Sequence, residues 1–401
     1  MRSQRSLIVP SKPFDFSSLL FSGGSIDQRI VEWYLGRAGV LINGRRQGDI
    51  RIHDPVVYRR LLWEQSIGLG ESYMDGHWDC DRLDLLFERV FAAGLSAEGH
   101  RPLRFLKLLQ NAIVNLQSMA RATEVCEKHY DLGNDLYQKM LDPQMVYTCG
   151  YWKKAETLEQ AQFDKMDMIC KKLNLKPGQT LLDIGCGFGS FLKHAATHYG
   201  VRGVGITLSR QQYDYAISNC VGLPIEIRFQ DYRNLPLGEK YDRIASVGMF
   251  EAVGYKNFRN YMEIARRSLK DDGAFLLHTI GTGWTRYPVG HWVDKYIFPN
   301  GYSPSMSQIS KSVEKLFMIQ DVQDFGPDYS KTLMAWHSNF EAHWPELQPQ
   351  YGDRFKRMWD FYLLSFAGGF RARHWQLFQV LLTTPQTRLS AIDEARLPDA
   401  G

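Results

Sequence analysis

The chain has no run of apolar residues approaching the length of a membrane-spanning helix. Near its start, Leu7-Ile8-Val9 is far too short for the apolar region of a signal peptide. Paired cysteines are also missing. The six cysteines, Cys80, Cys126, Cys149, Cys170, Cys186 and Cys220, stand singly, with no CxxC pair and no Cys/His cluster at zinc spacing. No metal is expected, and the thiols read as free in a reducing cytoplasm. The charge surplus is small: +4 over 401 residues. A nucleic-acid binder shows a larger and more clustered basic excess, so no nucleic-acid partner is expected. A mildly basic enzyme, weakly attracted to anionic lipid, fits better. Neither internal repeats nor low-complexity tracts occur.

Aromatic residues, by contrast, are abundant: 22 Phe, 20 Tyr and 10 Trp. Such rings serve equally in a core, a greasy pocket or a membrane interface. Composition and pattern divide the chain into a poorly ordered start at 1–25, a small unit at 26–97, a linker at 98–125, a large unit at 126–385 and a tail at 386–401. The small unit opens with an amphipathic helix pattern around Ile30, Trp33, Tyr34 and Ala38. Asn43-Gly44 reads as a hairpin turn between short strands at 40–42 and 50–52. The glycine-bearing stretch 68–73 reads as loop, followed by a helix over 83–93, and the linker carries a helix over 103–119. From residue 175 to 285, strand and helix alternate at βα spacing, which predicts a mostly parallel sheet covered on both faces. Strands are expected at 180–184, 201–207, 225–230, 241–247 and 274–279, and helices at 190–199, 210–220 and 257–269. Between 305 and 382, a strand pattern at 318–325 precedes aromatic-rich helices.

The sharpest local signal is Leu182-Asp183-Ile184-Gly185-Cys186-Gly187-Phe188-Gly189. A strand runs into a glycine-rich turn that lets the backbone approach a nucleotide-like ligand. Two features argue against a dinucleotide. The sixth position of the glycine pattern is Ser190, and residues 205–209, Gly-Ile-Thr-Leu-Ser, hold no acid to grip a ribose. Asp183, two residues before the first glycine, stands where methyltransferases place an acid near the methionine end of S-adenosylmethionine.

Several further stretches resemble the cyclopropane-fatty-acyl-phospholipid synthase family. They are Glu127-Lys128-His129-Tyr130-Asp131-Leu132-Gly133-Asn134-Asp135-Leu136-Tyr137, Met145-Val146-Tyr147-Thr148-Cys149-Gly150-Tyr151-Trp152 and Gln230-Asp231-Tyr232-Arg233. Others are Ser246-Val247-Gly248-Met249-Phe250-Glu251, Leu276-Leu277-His278-Thr279-Ile280-Gly281 and Tyr296-Ile297-Phe298-Pro299-Asn300-Gly301. The likeness covers most of residues 30 to 380. It implies an α/β fold of the class I methyltransferase (Rossmann-like) kind, with a mixed, mostly parallel seven-stranded sheet. A smaller N-terminal α+β domain at 26–97 would engage lipid, and 126–385 would be the catalytic domain. The implied cofactor is S-adenosylmethionine, lined by Tyr147, Thr148, Asp183, Gly185, Cys186, Gly187, Thr207, Ser209, Gln212, Gln230, Asp231 and Tyr232. The resemblance further implies a bound bicarbonate ion held by Cys149, Glu251, His278, Tyr329 and the backbone of Ile280. The implied substrate is an unsaturated phospholipid in the membrane. The enzyme would be cytoplasmic, reach the bilayer as a peripheral visitor and form a homodimer.

The implied chemistry is methylene transfer to a cis double bond. An isolated alkene is a poor nucleophile, so positioning against the sulfonium methyl comes first. Methyl transfer leaves a carbocation, which calls for a dry pocket and aromatic faces. Loss of a proton from the new methyl to bicarbonate then closes the ring, the proton leaving by way of Glu251 and His278. Read singly, these residues have plainer roles: Cys149 as apolar filler, His278 as a core histidine, Glu251 as a helix cap and Tyr329 as packing. Trp284, Trp292, Phe298, Trp336, Trp344, Trp359 and Phe370 are expected to build the acyl tunnel or the core around it. Arg371 and Arg373 read as a solvated basic face. Two positions depart from the family: Phe366 stands where many members carry a cysteine, and Ala252 where relatives often have histidine. The rival readings are a lipid methyltransferase of the same fold that yields methyl-branched chains, and a non-catalytic lipid carrier. A nucleic-acid methyltransferase is disfavoured, because Gly248-Met249-Phe250-Glu251 replaces the proline-rich tetrapeptide after the fourth strand.

Overall fold

The computed structural model describes residues 25–95, 133–285 and 290–387. The expected disordered start, the linker with its helix at 103–119, residues 127–132 of the first family-like stretch and nearly all of the tail lie outside these residues.

Seven strands form the central sheet: β3 (Thr180–Ile184), β4 (Arg202–Thr207), β5 (Ile225–Phe229), β6 (Tyr241–Val247), β7 (Leu269–Gly281), β8 (Met318–Asp324) and β9 (Gln376–Thr383). Their order is β5-β4-β3-β6-β7-β9-β8. The first five are parallel, and β9 runs antiparallel between β7 and β8. Alternate residues face opposite sides, as the strand period of two requires. Leu182, Ile184, Phe275, Leu277, Phe378 and Val380 enter one apolar layer with the helix Phe258–Ser268. Leu181, Ala274, Leu276 and Leu381 enter the other, against the helices Leu158–Lys172 and Ser190–Tyr199. The seven-stranded mixed sheet is as expected. The expectation of helix after 325 fails at residues 376–383, which form β9. Its near-continuous apolar run, Gln-Leu-Phe-Gln-Val-Leu-Leu-Thr, has the composition of a strand covered on both faces, and such a run cannot be told from buried helix by period alone.

Two helices make up Gly326–Arg371, and they meet at Gly352, whose φ of 73° no helix allows. The chain folds back there, so His337 meets Asp360 at 3.0 Å. The N-terminal unit packs on this hairpin. Val31, Tyr58, Trp78 and Phe87 share one apolar cluster with Trp292, Trp336, Trp359 and Phe370. Trp344 is buried there too and Phe298 packs against it, whereas Trp284 is 62% exposed and lies in no core. Arg371 is likewise not a solvated charge. It bonds Asp84 at 3.0 Å and Glu88 at 2.9 Å, tying the hairpin to the helix Leu83–Ala92.

Two readings of the N-terminal unit require correction. The segment at 40–52 is not a hairpin of two strands. Ile42 and Ile50 form an isolated bridge, and the real pair is β1 (Arg51–Ile52) with β2 (Trp78–Asp79). The buried Asp49 carboxylate organises the turn instead, accepting the Leu41 and Arg46 amides at 3.0 Å each. The stretch 68–73 is helical, lying in Val56–Met74, a pair of helical segments broken at Gln65 (φ 54°). Its glycines serve close packing. A Cβ on Gly70 would lie 2.3 Å from the Trp292 ring.

Gly70→Ala should therefore destabilise the protein by about 1–3 kcal/mol through overpacking. At Gly36, helical with nothing within 4 Å of an added Cβ, the same change should stabilise it by a few tenths to about 1 kcal/mol. Urea midpoints of the two variants should move in opposite directions.

Candidate active site

The carboxyl ends of β3, β4 and β6 open onto a cleft with a cavity volume of about 190 Å³. That exceeds a cavity known to admit benzene, so the space suits an organic ligand rather than a single water. The glycine-rich turn after β3 forms one wall. Gly187, at φ 54°, has nothing within 4 Å of where a Cβ would stand, so backbone alone meets the ligand there. Tyr147, Thr148, Asp183, Gly185, Cys186 and Gly187 all line the cleft, as do Thr207, Gln212, Gln230, Asp231 and Tyr232. Ser209 does not line it. Its hydroxyl caps the helix Arg210–Asn219 by accepting the Gln212 amide at 3.3 Å, which holds Gln212 in place. Ala252, one of the two departures from the family, lines the cleft.

Sequence reasoning missed several lining groups, chiefly Lys165, Arg233 and Met249. Arg233 is spoken for by Asp231, at 2.8 and 2.7 Å. Lys165 is 1% exposed and donates to Thr148 Oγ1 at 2.7 Å. A signal for it existed. Ala161, Lys165, Met168, Ile169 and Lys172 recur at helical spacing, which puts Lys165 on the buried stripe of Leu158–Lys172.

Burial dominates the electrostatics. It pushes Asp183 from its usual 3.8 to about 7, an effect the charge of Lys165 opposes. Oδ1 of Asp183 has no partner in the protein. Glu251, in the single turn Phe250–Ala252 after β6, is raised from 4.5 to about 7 by the same desolvation. Its Oε1 accepts the Ile280 amide at 2.6 Å, while Oε2 is buried without a partner. His278 is 1% exposed, and burial together with the charges of Lys165 and Lys172 holds its imidazole neutral. Nδ1 of His278 lies 3.2 Å from the Gln379 amide nitrogen across the β7–β9 pair.

The five residues expected around bicarbonate are linked to one another by a chain of contacts. Glu251 bonds Ile280, which lies two residues beyond His278 on β7. The His278 ring meets Phe325 edge-on at 5.5 Å. Phe325 shares a small apolar cluster with Cys149 and Leu377, against which Ile280 and Tyr329 pack. Cys149 donates to the Gly150 carbonyl at 3.1 Å, and burial pushes its thiol well above the ordinary range, so it stays a neutral thiol. Tyr329 stacks on Phe370 at 4.6 Å.

Residues 117–380 match the family model for mycolic acid cyclopropane synthetase. The chain belongs to that family. It is 51% identical over 358 residues to the cyclopropane-fatty-acyl-phospholipid synthase of Escherichia coli strain K12, covering 88% of this chain and 93% of the relative. Among solved structures it resembles the cyclopropane synthase MmaA2 of Mycobacterium tuberculosis, with 31% identity and a TM-score of 0.60 over 65% of this chain and 97% of that one. It also resembles the mycolic acid cyclopropane synthase CmaA1 complexed with SAH and CTAB, with 30% identity and a TM-score of 0.61 over the same shares of the two chains. The fold is that of class I S-adenosylmethionine-dependent methyltransferases, and the chain is such a methyltransferase of the cyclopropane synthetase family.

The raised carboxyl group of Glu251 has a consequence for stability. An acid whose folded-state pKa lies above its unfolded value binds more protons when folded, so its contribution to stability falls as pH rises from about 4.5 to about 7. Glu251→Gln should remove that slope. The ligand-free variant should melt higher than the parent at about pH 8, by up to about 3 kcal/mol, and the advantage should vanish near pH 4. Thermal unfolding across pH checks this.

Proposed function

We propose that this protein is a cyclopropane-fatty-acyl-phospholipid synthase, moving a methylene group from S-adenosylmethionine to the cis double bond of an unsaturated phospholipid chain. The observation that carries the reading is the 51% identity to the Escherichia coli enzyme across 88% of the chain, together with a cleft whose walls are the glycine turn and the Tyr147–Thr148 segment. When bound, S-adenosylmethionine supplies an electrophilic methyl on a sulfonium.

The protein's own groups then have defined tasks. Gly185, Gly187, Thr207 and Gln212 seat the cofactor, and Asp183 faces its positive methionine end. Tyr147 and Trp336, with ring centroids 5.1 Å apart, and Tyr329, 6.1 Å from Trp336, give an aromatic wall suited to a cation on the acyl chain. That wall joins the apolar cluster and keeps water away. Bicarbonate fits beside Glu251: its hydroxyl would satisfy the orphaned Oε2, and it would supply the base that a carbocation route needs. Glu251, with its carboxyl near 7, holds the released proton, while His278, kept neutral by burial, serves as a hydrogen-bonding group rather than as that proton's acceptor.

Access to lipid is peripheral in this reading. Among the described residues no helix is long and apolar enough to cross a membrane. Trp63 and Trp284, 73% and 62% exposed, are suited to the bilayer interface. The unit at 26–97 engages the lipid, and the working form is a homodimer.

Liposomes of monounsaturated phospholipid incubated with S-adenosylmethionine should yield acyl chains one CH2 heavier that have lost their alkene. A product two hydrogens richer still would indicate a methyl-branching enzyme instead. Removing bicarbonate should slow the reaction. Glu251→Gln should lower turnover by about 10²- to 10⁴-fold with little change in cofactor affinity; full turnover in that variant would overturn the assignment of Glu251.

A further inference from the structure

The reaction as described leaves one buried charge in the cleft without a task. Lys165 is an ammonium group with three donors. Its one hydrogen bond goes to a neutral hydroxyl, Thr148 Oγ1 at 2.7 Å. Taking an ammonium out of water costs several kcal/mol unless an anion compensates. Among the described residues no carboxylate oxygen forms an ion pair with Lys165 within 4 Å, and the neighbouring carboxylates are otherwise engaged or incomplete. Asp142 spends its oxygens on the amides of Gln144 and Val146, each at 3.0 Å. Asp183 leaves Oδ1 unpartnered.

The same cleft is thus lined by a buried cation and a buried anion, each short of partners. Arg233, the other cation lining it, is already paired with Asp231. An amino-acid zwitterion would serve both groups at once, its ammonium meeting the unpartnered Asp183 oxygen and its carboxylate giving Lys165 the anion it lacks. The methionine part of S-adenosylmethionine is such a zwitterion. Desolvation drives Lys165 down to about 8 and Asp183 up to about 7, so burial disfavours the charged form of each. A ligand carrying both opposite charges would oppose that effect.

We propose that Lys165 is the anchor for the α-carboxylate of the cofactor, held in position by Thr148. The proposal rests on reading this cleft as the S-adenosylmethionine site. It separates the two ends of the amino acid: Asp183 answers for the amine and Lys165 for the acid. Thr148 keeps the ammonium from collapsing onto Asp183, so the anchor is preformed when the ligand arrives.

The test uses the full chain and two ligands, S-adenosylhomocysteine and S-adenosyl-3-thiopropylamine, which lacks only the carboxylate. By titration calorimetry the parent should bind the first about 30-fold more tightly than the second. Lys165→Met should cut that ratio to less than about 3-fold, chiefly by weakening S-adenosylhomocysteine, while affinity for the decarboxylated ligand stays nearly constant. Lys165→Arg should keep part of the preference. Unchanged preference in Lys165→Met, or a parent that binds both ligands equally, would overturn the anchor. The second outcome is available even if the variant does not fold. A parent that binds neither ligand would overturn the cofactor reading itself, a result distinct from either.

Discussion

The cost of keeping ionisable groups out of water governs the working end of this protein. Three adjacent parallel strands, β3, β6 and β7, deliver Asp183, Glu251 and His278 to one edge of the sheet, where open α/β sheets place their ligands. Asp183 and His278 are buried and Glu251 is half-buried with its Oε2 shielded, and in each case desolvation is the leading influence, favouring the neutral form. Folded proteins leave few buried polar atoms unsatisfied. Here Asp183 Oδ1, Glu251 Oε2 and Gln379 Oε1 are all unsatisfied; Asp183 lines the cleft, and Glu251 and Gln379 bond Ile280 and His278 of β7. Unsatisfied oxygens at this end of the sheet are what a site prepared for a polar ligand looks like from the protein's side. The Ile280 amide on Glu251 fixes the carboxylate's position without using up its second oxygen.

The apolar half of the site depends on packing between distant parts of the chain. Residues from Val31 to Phe87 lack a core of their own and contribute to the cluster that contains Trp336, Trp359 and Phe370. Asp84, 1% exposed, is held by Arg82 and Arg371 at 2.9 and 3.0 Å. Arg357 bonds Asp79 at 2.7 Å while lying 4.0 Å over the Tyr73 ring. Tyr147, Ile280 and Tyr329 pack against this same cluster. A close-packed interior transmits displacements rather than absorbing them. Movement of the N-terminal unit at a bilayer would therefore reach the aromatic wall through direct contact, with no separate relay.

How far the sequence revealed this depended on whether the signal was local. The glycine turn and the βα alternation after residue 175 are short-range patterns; β3 to β6 fall where they were expected to within about a residue, while β7, expected at 274–279, runs from Leu269 to Gly281. The cofactor walls were legible because the glycine turn is local and the family stretches match as short strings. Long-range uses of a residue were not legible. Gly70 looks like a loop former until Trp292, more than 200 positions away, occupies the space its side chain would need. Arg371 looks solvated until Asp84 and Glu88 arrive from the N-terminal unit. Lys165 could have been flagged by its place on an apolar helical stripe, but only the fold shows that the stripe faces the cleft.

The replacement of the family's cysteine by Phe366 follows from the same chemistry. Phe366 stacks on Trp375 with ring centroids 4.5 Å apart and planes 12° from parallel, and meets Tyr362 edge-on at 5.2 Å. It is fully integrated into the apolar cluster and has no group to offer a substrate. A carbocation route requires the absence of any nucleophile that could trap the cation. The remaining candidates near the aromatic wall are disarmed by burial. Cys149 stays a thiol, and Tyr147 and Tyr362, hydrogen-bonded to each other at 3.0 Å, stay phenols. Glu251 is the anionic group nearest in role, and its carboxyl near 7 together with its bond to Ile280 restrains it from attack while leaving it able to take a proton. An aromatic ring at 366 therefore costs the proposed reaction nothing. It removes one more nucleophile from the wall and adds a ring to it.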